Sequence, residues 1–209
     1  MKLSIDDGIV NTLVYQLQNY WPDLNLNCIK DAAEIAFKYY YTDEEIQNFN
    51  YLHTLTWMIF LYRVSYVLGE YKYIKEADAV YYLNKIMHGV EWYHQVRLPR
   101  NFKAEHPVGS VLGRAVYGEY LFVYQGTTVG GNRKNDKIYY PVLGENVLLY
   151  ANATVLGNTK IGNNVVVSAN TYIINEVIPD NSIVFGRSPE LIIKSNEDYV
   201  MNLTKHLWM

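Results

Sequence analysis

Apolar side chains recur at three- and four-residue spacing through Ile46, Phe49, Leu52, Leu55, Ile59, Tyr62 and Tyr66, which predicts one amphipathic helix over residues 46–69. Thr42 and Glu45 have the spacing of a capping box just ahead of it, and Gly69 is a helix stop. Residues 31–41 and 73–88 carry weaker helical patterns, and Pro22 separates the first helical stretch from the next. Residues 1–90 therefore read as an α-helical domain. It is rich in tyrosine, which suits packing at a helical or subunit interface.

From about residue 91 the period changes. Cut into sixes from Val142, the chain reads VLGENV, LLYANA, TVLGNT, KIGNNV, VVSANT, YIINEV, IPDNSI, VFGRSP. The second place of each six holds Leu143, Leu149, Val155, Ile161, Val167, Ile173, Pro179 and Phe185. One large apolar side chain per six points inward, with Gly and Asn turn formers two or three places later. This is the hexapeptide repeat of a parallel β-helix. The same register returns upstream in residues 111–128, out of phase with the later run. An insertion of roughly seven residues therefore lies within 130–141, a polar, lysine-bearing stretch expected to project as a loop. The fold class is α+β: a helical domain at 1–90, a β-helix at 91–194 and a tail at 195–209.

Composition narrows the function. Lys plus Arg number 18 against 21 Asp plus Glu, a net charge of −3 that argues against nucleic acid as partner. Cys28 is the only cysteine, which excludes an internal disulfide and a thiolate-rich metal site. The histidines at 53, 88, 94 and 206 lack paired ligand spacing, so no metal is expected. The opening MKLSIDDGIV has no basic-then-apolar leader pattern, and the apolar run at 57–68 is too short for a bilayer span of about 20 residues. The expectation is a cytoplasmic protein without membrane insertion.

Several segments of the second half carry a family likeness. Glu91 precedes the run Glu105-His106-Pro107-Val108-Gly109 so that Glu91 and His106 stand fifteen residues apart. A strand with Gln125 leads to the pair Gly130-Gly131, then the loop, then Tyr140-Pro141, and the solenoid closes on Gly186-Arg187-Ser188-Pro189. In these features the chain resembles the serine acetyltransferases and their relatives, over about residues 90–194. The resemblance implies a left-handed β-helix, a hand that the repeat alone does not give. It also implies acetyl-CoA as co-substrate and transfer of acetyl to the hydroxyl of a small acceptor. The family's second histidine and the arginine before it are Tyr140 and Tyr139 here, and its dyad aspartate is Glu91. Those departures make a sugar O- or N-acetyltransferase of cell-surface polysaccharide synthesis the alternative, and a non-catalytic β-helix scaffold a further one.

Roles follow from the resemblance together with the chemistry. An alcohol needs a base to become nucleophilic, and a neutral imidazole serves near neutral pH. His106 is that candidate, with Glu91 fixing its tautomer and stabilising the imidazolium. Glu105, Gln125 and Tyr140 are the candidates to contact the acceptor. Backbone N–H groups at Gly130 and Gly131 would meet the thioester oxygen as it gains charge. Ala151 and Ala169 are the small residues past which the pantetheine arm would run, while Arg187, Lys194 and Lys134 are the cations nearest to hand for its phosphates. The family assembles as trimers through the β-helix, so a homotrimer is expected, with a hexamer through the tyrosine-rich helices open. The tail would cap the last coil.

Overall fold

The computed structural model describes residues 7–195, and the chain divides into two compact units, Met1–Gln95 and Val96–Met209. Apart from Ser195, the expected capping tail lies outside the described residues.

The first unit is helical: α1 (Asp7–Tyr20), α2 (Leu26–Tyr40), α3 (Asp43–Gln47), α4 (Thr54–Glu70) and α5 (Ile74–His88). No helix among the described residues is long and apolar enough to cross a membrane. Leu13, Leu17, Ile29, Phe37, Phe60, Leu61, Leu68 and Leu83 form its core. Arg63, buried among them, lies 4.3 Å from the centroid of the Tyr40 ring, a cation–π contact. Asn25 caps α2 through its side chain, and Thr42 with Glu45 forms the predicted capping box.

That box opens the five-residue α3, and the single helix predicted over 46–69 is two helices. Asn48 ends α3, and Asn50 turns the chain by accepting from the Leu52 N–H at 2.9 Å through its side chain and from the His53 N–H at 3.0 Å through its carbonyl. Phe49 drops into the core at 5.1 Å from the Phe37 ring, while Leu52 is left exposed. Nor does Gly69 stop α4, which runs on to Glu70. A Cβ on Gly69 would stand 2.6 Å from the buried Nδ1 of His94, so that glycine serves close packing.

The second unit is the β-helix. Val147 pairs with Val165 and Thr154 with Tyr172, each 18 residues on, so three hexapeptides make one coil. The three faces are parallel ladders. One stacks Phe102–Ala104, Leu121–Val123, Val147–Leu149, Val165–Val167 and the start of Ser182–Arg187. A second stacks Val111–Leu112, Thr128–Gly130, Thr154–Leu156 and Tyr172–Ile174. The third stacks Val116–Tyr117, Val142–Leu143, Lys160–Ile161 and Val177–Ile178. Leu143, Leu149, Val155, Ile161, Val167 and Ile173 are all buried, as the repeat requires.

Corners need positive φ, which asparagine tolerates better than most residues. Asn146, Asn164 and Asn181 hold φ of 58°, 55° and 53° at one corner. Their amides form a ladder, Asn146 donating to Asn164 at 2.8 Å and Asn164 to Asn181 at 2.9 Å.

Two details differ from the repeat as read. Lys160 pairs with Val177 only 17 residues on, so the last coil has lost one residue at the Asn175–Glu176 corner. The phase slips by one, and Ile178 and Val184 point inward in place of Pro179 and Phe185, which are exposed. The insertion is also eight residues and not seven, since Thr128 pairs with Thr154 at a separation of 26 against the usual 18. It is an ordered hairpin of Asn132–Lys134 and Lys137–Tyr139. Asn135 and Asp136 take φ of 49° and 59°, the twist a two-residue hairpin turn needs.

Candidate active site on one edge of the solenoid

Ala104 pairs with Val123 and Val111 with Thr128, so seven steps along the first coil face five on the next. The two extra residues bulge out at the corner 105–109, which carries His106. His106 itself takes φ 49°, and its carbonyl accepts from the Val108 N–H at 2.7 Å. The corner thus lifts the imidazole off the coil, and its side chain is 79% exposed in the single chain.

Behind the bulge runs a column of aligned corner residues. Gly126 N–H donates to the Val108 carbonyl, Asn152 N–H to that of Gln125 and Asn170 N–H to that of Ala151. Val108, Gln125, Ala151 and Ala169 therefore stack on successive coils. At about 4.8 Å per coil the three steps cover roughly 14 Å. Beyond Ala169, the Arg187 guanidinium lies 4.7 Å from the Tyr172 ring centroid, on the strand paired with Tyr172. Lys194 sits over Phe185 at 5.7 Å, and Lys134 lies in the hairpin opposite Lys137.

Glu105 lies beside His106, its Oε1 3.8 Å from Nε2. Its Oε2 accepts from the Tyr124 hydroxyl at 2.7 Å. Burial first, and then the hydrogen bond to Glu105, push the Tyr124 hydroxyl well above its ordinary range, so it stays a protonated donor. The Tyr124 ring stacks on Tyr150, centroids 5.1 Å apart and planes 17° off parallel. Sequence reasoning missed these two tyrosines. Once the hairpin is removed they share one repeat position on successive coils, a signal that was available.

Glu91 belongs to the helical unit, where its carboxylate binds the Lys85 ammonium at 2.6 Å and holds it above its ordinary range. Gly130 ends a ladder strand, and a Cβ there would meet nothing nearer than Leu156 at 3.9 Å, so the surface over it is open. Gly131 differs, because its missing Cβ makes room for the Tyr140 and Ile138 side chains. Tyr140 is 38% exposed at the foot of the hairpin.

The family model for bacterial transferase hexapeptide (six repeats) matches residues 140–175. A serine acetyltransferase of Synechococcus elongatus is 33% identical over 135 residues, 64% of this chain and 55% of that protein. Residues 140–175 thus carry the hexapeptide repeat of bacterial transferases, and the chain is similar to serine acetyltransferases. The chain spans little more than half the length of that relative. Its fold, a helical unit followed along the chain by the left-handed β-helix, is shared with solved structures. A Neisseria gonorrhoeae serine acetyltransferase in complex with serine matches at TM-score 0.64 and 22% identity, over 85% of this chain and 81% of that one. A Brucella abortus serine acetyltransferase in complex with coenzyme A matches at TM-score 0.66 and 16% identity, over 93% of this chain and 84% of that one.

Proposed function

We propose that the protein is an acetyl-CoA-dependent O-acetyltransferase acting on the hydroxyl of a small acceptor, serine or similar. The observation that carries this is the bulged corner raising His106 at the head of a column that narrows to Ala151 and Ala169. A base at one end and small side chains along the edge suit a thioester whose long arm lies against the coils. A second copy of the chain packed on this edge, as in a homotrimer, would close the groove. The tyrosine-rich helices would serve a hexamer.

In the proposed reaction His106 takes the acceptor's hydroxyl proton as the oxygen bonds to the thioester carbonyl carbon. The tetrahedral oxyanion is met by N–H groups at Gly130 and Gly131. Collapse breaks the C–S bond, and the imidazolium returns its proton to the departing thiolate. Glu105, with Gln125 and Tyr140, faces the acceptor. The role of Glu91 in fixing the imidazole rests on the resemblance, as does that of Arg187, Lys194 and Lys134 toward phosphates.

A sugar acceptor is the second reading, favoured by Tyr139 and the exposed Tyr140 standing where the resemblance expects arginine and histidine. Aromatic faces suit a sugar ring better than a free carboxylate. Thiol release from acetyl-CoA, measured with L-serine and separately with a nucleotide-linked hexose, decides between them. Silence with both and no coenzyme A affinity would leave the scaffold reading.

A further inference from the structure

Tyr124 occupies an unusual place for a residue outside the expected catalytic set. It lies two residues past the buried Phe122, and register puts it directly over Tyr150, because Val123 pairs with Leu149. Coil spacing of about 4.8 Å is the distance at which two flat rings stack, and the centroids stand 5.1 Å apart. The solenoid thus fixes the ring. Its hydroxyl then fixes a carboxylate nineteen residues away in sequence, Glu105 on the bulged corner. With Oε2 committed to Tyr124 at 2.7 Å, Oε1 is the oxygen left toward His106 and toward an acceptor beside it.

We infer that Tyr124, stacked on Tyr150, is a positioning residue that holds Glu105 against His106 so that the carboxylate stabilises the imidazolium formed during acetyl transfer. This rests on the proposed acetyltransferase reading. Glu105 sits on an exposed corner, its side chain 43% accessible, and a carboxylate that wanders contributes little to a charge about 4 Å away. A short bond to a hydroxyl that never ionises in the working pH range restricts it to one orientation. The phenol does not touch the reacting atoms. It acts through Glu105.

The test uses the full chain, with Tyr124→Phe keeping ring and stack while deleting the hydroxyl. Thiol release from acetyl-CoA is followed with L-serine and with a nucleotide-linked hexose, beside crystal structures of the wild type and the variant. The expected result is a kcat about tenfold lower with KM for acetyl-CoA unchanged, and Glu105 displaced from His106 in the variant crystal. In the cycle with Glu105→Gln, the double variant is expected to lose no more than Glu105→Gln alone. Losses that multiply, or an unmoved Glu105 with unchanged kcat, overturn the inference. If the wild type transfers no acetyl group, the acetyltransferase reading fails separately. The position of Glu105 in the two crystals then decides whether Tyr124 holds it.

Discussion

The Tyr140 ring occupies the space a side chain on Gly131 would need, its Cε1 lying 2.8 Å from where a Cβ would stand. Ile138 closes the same space at 2.9 Å. The hairpin therefore leaves and rejoins the solenoid through one tight contact, which sets where Tyr140 points. Gly131→Ala is expected to push Tyr140 and Ile138 outward and to lower kcat/KM for the acceptor more than for acetyl-CoA. The double variant Gly131→Ala with Tyr140→Ala, which empties the contact, is expected to show a smaller further loss than the two single effects combined. Steady-state kinetics in both substrates checks this.

In the proposed reading, acceptor choice is assigned to Tyr139 and Tyr140. Replacing them together by Arg and His is expected to raise the ratio of L-serine to nucleotide-linked hexose turnover. An unchanged ratio would remove the pair from acceptor choice.

Burial lowers the His88 affinity for a proton below its ordinary value, outweighing an opposing backbone hydrogen bond at Asn84. Its neutral form is favoured in the fold, so the stability it contributes is present above the ordinary histidine value of about 6.5 and lost as pH falls below it. The melting temperature is expected to drop between pH 7.5 and 5.5. In His88→Gln, neutral at both, that part of the drop should vanish.

Cys28 behaves with the opposite sign. Burial, helped by the charges of Glu76 and Asp31, pushes its thiol up to about 11 from 9.0. A raised folded value favours the thiol over the thiolate, so its contribution is complete below pH 9 and is lost as pH rises toward 11. Alkylation at pH 8 is expected to be slow in the folded chain and fast once the chain is unfolded in denaturant.

The asparagine ladder supplies a stability test. Asn164 accepts from Asn146 and donates to Asn181 at a φ of 55°. Asn164→Ala loses both bonds and strains the corner, a cost of about 2–3 kcal/mol. Asn164→Gly keeps the corner and loses only the bonds, so it should destabilise less. Thermal melts of the two variants order these effects.

Much of this was legible in the chain. Leu143 through Ile173 announced the coils because each inward position must be large and apolar, and a period of six has few other causes. The slip at Asn175 was not legible, since IPDNSI and VFGRSP still offer an apolar residue at every second place in the old phase. The break between α3 and α4 was hidden because Phe49 stays apolar whether it lies on a helix or folds back from a turn. His106 could be singled out by likeness, but the bulge that lifts it appears only when the registers on its two sides are compared. Tyr124 aligns with Tyr150 only once the eight-residue hairpin is taken out of the count, and nothing in the sequence marks what its hydroxyl meets.

In the proposed reaction His106 removes the acceptor's proton. Thiol release from acetyl-CoA by His106→Ala, with coenzyme A affinity measured alongside, tests it most directly. Turnover lower by about 10²–10⁴ with coenzyme A still bound is expected; turnover equal to the wild type would show that His106 is not the base.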